Sequence, residues 1–308
     1  MTNTPIADPQ TDQRLPFKRF AETRENMITP HIATIHDLCG YGNCSLAVAM
    51  PVLSAAGLDS LPVPTSILSN HTQYPSFTFL DTTSELEEFF GKWRALNVPL
   101  SGAYTGFLGS TEQIDIIERF FENWPTDLVN VIDPVMGDHG KPYPTYSPEM
   151  CDRMKRLLPY ADVLTPNLTE AAILLDEEYP GQALDAAQGE AIARRLHAKS
   201  GGAVILKGME RGDQVWNGIL DWDGNYSEAS NPRHPNSLHG TGDLFASAIA
   251  AGLYTGHKLF ETVSFAANLV YEAITVSEKQ EGYLERGVTF EPLMGKIVAF
   301  ARSSEHTL

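Results

Sequence analysis

The chain has 308 residues, 43% of them hydrophobic, and a formal net charge of -17 at pH 7. That balance argues against a general nucleic-acid binder and against attraction to an anionic membrane, both of which call for basic patches. Any anionic ligand must therefore be held locally, by backbone N–H groups, a lysine and metal ions.

Residues 1–28 begin MTNTPIADPQTDQRLPFKRF, polar and without an apolar signal core. They are expected to form a loosely held arm, with a single domain over 29–308. No stretch approaches the length of a membrane span, so a cytoplasmic protein is expected. Three cysteines, Cys39, Cys44 and Cys151, are too few for a disulfide framework and suit a reducing compartment. Cys39 and Cys44 offer half of a zinc site, but no second Cys/His pair at a suitable spacing accompanies them.

From residue 31 the pattern alternates. HIATIHDL reads as a buried strand and NCSLAVAMPVLSAAG as a helix that Pro51 should kink and Gly57 should stop. LPVPTSIL, LVNVIDPV, ADVLTP and GGAVILKG are further strand candidates. SELEEFFGKWRAL, TEQIDIIERFFENW and GEAIARRLHAK lie between them as helices. This order indicates βαβ units and a mainly parallel sheet. QVWNGILDWDGNYSEAS predicts a hairpin turning at Asp223-Gly224, with mainly helices from Thr241 to the end. DHGKPYPTY, 138–146, has no periodicity and suits either a lid or an ordinary loop.

In open parallel sheets, ligands bind outside the carboxyl ends of the strands. LVNVID ends there at Asp133, ADVLTPN runs out at Asn167, and GGAVILK ends at Lys207. A fourth element, LHGTGDLFASAIAAGL, places Gly240, Thr241, Gly242 and Asp243 at a helix start. Its glycines let backbone approach a ligand, and its free N–H groups favour an anion. Asp243 beside a helix N-terminus is expected to have a lowered pKa. The competing reading is an ordinary capped helix. Glu170, three residues after Asn167, likewise suits a capping box.

Seven segments in order, IHDLCGYGNCS, PTSILSNHTQY, YTGFLGSTEQ, DPVMGD, TPNLTEA, ILKG and HGTGD, resemble the ribokinase-like superfamily, in its branch of pyridoxal/pyridoxamine and hydroxymethylpyrimidine kinases. The resemblance implies a single-domain α/β three-layer sandwich with a central, mainly parallel sheet flanked by helices. It also implies ATP-dependent phosphorylation of a hydroxymethyl group, with Asp243 as catalytic base and the Gly240–Gly242 turn as anion hole. Nucleotide and Mg²⁺ would be held by Asp133, Thr165, Asn167, Glu170, Lys207 and Gly208, with Asp133 and Glu170 on the metal. A monovalent cation is a further candidate cofactor, and a homodimer the implied assembly.

On the substrate side the resemblance points to Thr65, His71 and Phe107. Asp37 stands near where pyridoxal kinases often carry a serine, and could meet a ring nitrogen. SNHTQY, and an aspartate rather than a cysteine after HGTG, favour pyridoxal, pyridoxamine or pyridoxine over hydroxymethylpyrimidine. Two other readings compete: a non-catalytic binder of vitamer or nucleotide, and a dehydrogenase. The dehydrogenase reading lacks a G-x-G-x-x-G after the first strand.

Overall fold

The computed structural model describes residues 29–124 and 128–303, so the arm expected at 1–28 lies outside the described residues. In chain order it runs β1 (His31–Cys39), α1 (Leu46–Ala55), β2 (Asp59–Leu68), β3 (Phe79–Asp81), α2 (Thr83–Ala95), β4 (Gly102–Thr105), α3 (Thr111–Asn123) and β5 (Val129–Ile132). A short pair follows, β6 (Gly137–Asp138) and β7 (Lys141–Pro142), then α4 (Pro148–Met154), a 3₁₀ segment, β8 (Val163–Leu164), α5 (Leu168–Leu175) and α6 (Ala186–Ser200). The chain continues through β9 (Ala203–Arg211), β10 (Gln214–Leu220), β11 (Tyr226–Pro232), α7 (Thr241–Tyr254), α8 (Leu259–Ser277), α9 (Tyr283–Arg286) and α10 (Met294–Ser303).

One sheet has the order β11-β10-β9-β8-β5-β4-β1-β2-β3. The six strands from β9 across to β2 are parallel. The antiparallel strands β10, β11 and β3 extend its two ends. Side chains alternate between faces along each strand. Ile32, Tyr104, Val131, Val163 and Ile205 enter one core with α1, α7 and α8. Their neighbours Ala33, Ala103, Ile132, Leu164 and Leu206 enter the other, with residues of α2 to α6. Burial on both faces is what makes these strands read as apolar runs. The result is the expected three-layer α/β architecture.

Two features depart from the sequence reading. β4, Gly-Ala-Tyr-Thr, was not among the strand candidates, yet all four residues are buried at the sheet centre. And α8 is, by length and composition, long and apolar enough to cross a membrane, contrary to the expectation that nothing approaches a span. Its apolar side chains instead pack into the first core, among them Leu259, Val263, Leu269 and Ile274.

The small residues of LFASAIAAGL find their use here. Every residue from Leu244 to Tyr254 is buried, so α7 lies close against the sheet. Tyr254 then reaches the carbonyls of Ala103 and Val129 at 2.9 and 2.8 Å. A Cβ at Gly102 would fall 2.5 Å from the Tyr254 ring. This close seating fixes where the N-terminus of α7, and with it Asp243, emerges at the carboxyl ends of the strands.

Candidate active site

The residues at the strand exits form one connected polar group. Asp133, the residue after β5, is buried; its Oδ1 accepts from Lys207 Nζ at 2.7 Å and Thr165 Oγ1 at 2.8 Å. Backbone bonds set these positions: Asp133 N donates to Thr105 O, Thr165 N to Ile132 O, and Lys207 N to Pro166 O. Asn167 caps α5, accepting from Thr169 N and Glu170 N, while Glu170 Oε2 accepts from Asn167 N at 2.8 Å. Glu170 is therefore the capping-box residue its spacing suggests. It is also buried beside Asp133 and Lys207, which both act on its charge. Gly208 follows at φ 83°, its amide donating to Asn217 Oδ1 at 3.3 Å.

Electrostatics unite this group with Asp243. Burial pushes Glu170 up to about 8, opposed by Lys207 and reinforced by Asp133. Burial also pulls on Lys207, but Asp133, Glu170 and Asp243 outweigh it, and the ammonium is held above its ordinary range. Asp243 itself is pushed up to about 7, chiefly by burial. The Ser45 amide and Lys207 oppose that rise, while Asp37 and Asp133 add to it. The lowered value expected from the helix N-terminus is thus overturned: loss of solvent outweighs the dipole. A higher pKa makes Asp243 the stronger base.

The turn before Asp243 has a shape only glycine fits. Gly240 has φ 82°, and a Cβ there would lie 1.8 Å from Asn43 O. Gly242 differs, since a Cβ there would meet nothing within 4 Å. Open space at that point leaves room for a ligand against the first turn of α7. Among the described residues no hydrogen bond is made by the Gly242 or Asp243 amides, as befits a helix start.

Three carboxylates, Asp133, Glu170 and Asp243, face one ammonium, Lys207. Such a buried surplus of negative charge, built from oxygen donors, fits a hard divalent cation. Asp133 and Glu170 are the residues that would hold Mg²⁺.

On the other side of Asp243 lies the loop between β1 and α1. Asp37 is buried, which raises its pKa; the hydroxyl of Ser45 and the thiol of Cys39 oppose the rise. Ser45 thus acts on the charge of both carboxyls, on Asp37 through its side chain and on Asp243 through its amide. It does so at φ 50°, unusual for a residue with a side chain. Sequence reasoning missed Ser45, because neither its backbone strain nor its two partners has a local signature.

Thr65 and Phe107 are joined, Thr65 Oγ1 donating to Phe107 O at 3.0 Å. The Phe107 ring meets Tyr146 edge-on at 5.8 Å. His71 Nδ1 accepts from Gln73 N–H at 3.3 Å, so Nε2 carries the proton donated to Glu285 O at 2.8 Å. Both ring nitrogens are committed, and burial lowers the His71 pKa. The ring packs at a tilt, 4.2 Å from that of His239, the residue before Gly240, and so supports the turn. His36 is also buried, 4.4 Å from the Tyr104 ring, and burial lowers it to about 3. Tyr104 in turn reaches Ser247 Oγ at 3.3 Å.

The 138–146 segment holds a small hairpin, β6 with β7. Asn167 Nδ2 donates to Gly137 O at 2.9 Å, and Gly140 N to Thr169 Oγ1 at 2.8 Å. The hairpin is therefore fastened over the start of α5, beside Glu170.

The family profile for phosphomethylpyrimidine kinase matches residues 83–287, about two thirds of the chain. The chain belongs to that family. It is a kinase of the ribokinase-like superfamily, with pyridoxal kinases among its structural neighbours and curated relatives. A Bacteroides thetaiotaomicron protein, provisionally described as a phosphomethylpyrimidine kinase and crystallised with pyridoxal, is 35% identical with a TM-score of 0.83. That match covers 87% of this chain and 96% of the other. Pyridoxal kinase from Lactobacillus plantarum is 30% identical, TM-score 0.82, over 91% and 99% of the two chains. A pyridoxine/pyridoxal/pyridoxamine kinase from Bordetella avium is 32% identical over 79% of this chain and 84% of its own. The chain also matches two larger thiamine-biosynthesis proteins at 27% identity, spanning 34% and 47% of their lengths.

Proposed function

We propose that this kinase transfers the γ-phosphoryl group of ATP to the 5′-hydroxymethyl group of a B6 vitamer: pyridoxal, pyridoxamine or pyridoxine. The observation that carries the reading is Asp243, a buried carboxylate raised to about 7 beside a glycine turn with room for a phosphate. In this reading Asp243 orients the alcohol and accepts its proton as the O–P bond forms. Phosphoryl transfer leans on positioning and charge more than on base strength. The amides at Gly242 and Asp243 receive the developing charge on the transferring group, and Lys207 adds an ammonium to the phosphate side. Mg²⁺, held at Asp133 and Glu170, would neutralise phosphate charge when bound.

The vitamer assignment rests on three supports. Asp37 is buried within electrostatic reach of Asp243, where a carboxyl can meet a pyridine nitrogen. Phe107 offers an aromatic face to a flat ring. The 35% identical relative was crystallised with pyridoxal. Hydroxymethylpyrimidine is the second reading, favoured by the name of the family that matches 83–287. It would use the same base and turn on a different ring. A homodimer in a reducing cytosol is the setting that goes with either.

The test is a panel. Purified protein with Mg-ATP is offered pyridoxal, pyridoxamine, pyridoxine and hydroxymethylpyrimidine in parallel, and ADP release is followed. Turnover on at least one B6 vitamer, exceeding that on the pyrimidine, is expected. Turnover on the pyrimidine alone would overturn the vitamer assignment.

A further inference from the structure

Two thiols and a carboxyl meet at the end of β1. Asp37, Cys39 and Cys44 are all buried, and one ligand atom from each lies within 4.8 Å of the other two. Cys39 Sγ is 3.5 Å from Asp37 Oδ2. The turn that brings Cys44 back to Cys39 is tied on several sides. Gly40 N donates to Leu68 O at 2.8 Å, Asn43 N to Arg286 O at 3.3 Å, and Asn43 Nδ2 to Val288 O at 2.7 Å. Gly42, at φ 108°, packs so tightly on His71 that a Cβ would lie 2.3 Å from its ring. The two thiols are therefore presented by a fixed turn.

The spacing has a chemical meaning. A tetrahedral zinc ion takes thiolate sulfur at about 2.3 Å and carboxylate oxygen at about 2.0 Å. The sulfur–oxygen edge of such a tetrahedron is then about 3.5 Å, the separation seen between Cys39 and Asp37. We infer that Asp37, Cys39 and Cys44 form a binding site for a thiophilic divalent cation, zinc above all. Three protein ligands leave a fourth position for solvent or another ligand. Mg²⁺ is excluded by its preference for oxygen donors, so this site is distinct from the one at Asp133 and Glu170. Local spacing in the sequence showed only a Cys pair; the third ligand comes from the strand itself, two residues before Cys39.

Binding forms two metal–sulfur bonds and one metal–oxygen bond. It releases two thiol protons to solvent and transfers no electrons. Because the charge of Asp37 acts on Asp243, a zinc ion here engages the substrate side of the site. On the function proposed above, it inhibits turnover in competition with the acceptor alcohol. The binding itself does not depend on that function.

Co²⁺ is the probe. The full chain, stripped of metal and reduced with a phosphine, is titrated with Co²⁺ and followed by absorption. One equivalent should produce a thiolate-to-cobalt charge-transfer band that Zn²⁺ abolishes. The band should be lost in Cys39→Ser and in Cys44→Ser, and kept in Cys151→Ser. No band in the wild-type chain, or a band that survives loss of both Cys39 and Cys44, overturns the site. Should the serine variants fail to fold, alkylation of the wild-type chain decides, read by peptide mass spectrometry. Zn²⁺ should slow modification of Cys39 and Cys44 at least about tenfold while leaving Cys151 unchanged; equal rates overturn the site. Neither readout involves turnover, so this inference and the proposed function fail separately.

Discussion

Gly240 faces the backbone of Asn43 so closely that a Cβ would sit 1.8 Å from the Asn43 carbonyl oxygen. The β1–α1 loop and the turn that carries Asp243 are therefore locked by backbone contact. Asn43 extends the lock, since its side-chain amide donates to Val288 O at 2.7 Å while Val288 N donates to His239 O. The glycine turn before α7 and the β1–α1 loop are consequently held as one piece.

Gly240→Ala tests that lock. The left-handed φ alone costs about 1–3 kcal/mol for a residue with a side chain, and the clash with Asn43 O adds to it. The expected outcome is a lower urea midpoint together with loss of turnover. Gly242→Ala, whose Cβ enters open space, should keep stability and lose turnover, because the methyl fills the space proposed for phosphate. Unchanged activity in Gly242→Ala would remove the turn from the anion hole.

Lys207 is the cation beside the buried acids, with Nζ 2.7 Å from Asp133 Oδ1. Lys207→Met leaves Asp133 buried without that partner, and breaking such a pair costs about 3–5 kcal/mol. Chemical denaturation should show the midpoint fall at an unchanged slope. Isothermal titration should show weaker ATP binding in the same variant.

How far the sequence could be read depended on whether a feature is local. The capping box at Asn167 and Glu170 and the strand exit at Asp133 are short-range patterns, and the structure contains them as expected. Lys207 reads as a strand end, but β9 runs on to Arg211 because β10 pairs with it beyond that point. β4 escaped because Gly-Ala-Tyr-Thr has no β-branched run; neighbouring strands on both sides make it a strand. The Asp243 pKa was given the wrong direction because burial is a property of the packed site and not of the helix start. Ser45 acts on both Asp37 and Asp243, which about two hundred residues of chain separate and no spacing rule connects.

The raised carboxyls fix the sign of the pH dependence of stability. Asp243 at about 7 and Glu170 at about 8 stand above their ordinary values of 3.8 and 4.5. The folded chain binds these protons more tightly than the unfolded chain does. Their contribution is thus present at low pH and is lost as pH climbs from about 4 towards 8. The metal-free protein should melt lower at pH 8 than at pH 6. Asp243→Asn, which keeps a neutral group, should narrow that gap; a gap as wide as the wild type's would contradict the assignment.

The same value governs the rate. A base must be deprotonated to accept the alcohol's proton, so kcat/KM should rise about tenfold per unit below pH 7 and level off above it. A profile flat from pH 5.5 to 8 would show that no group of this pKa limits the reaction.

The most direct measurement is a single-turnover comparison of wild type and Asp243→Asn with pyridoxal and Mg-ATP, the phosphorylated product read by mass spectrometry and ATP affinity measured in parallel. The expected result is transfer to the 5′-hydroxyl by the wild type. The variant should be slower by about 10²–10⁴-fold with its ATP affinity retained. No phosphate ester from the wild type, or a variant that transfers at a near-normal rate, would contradict Asp243 as the base of a vitamin B6 kinase.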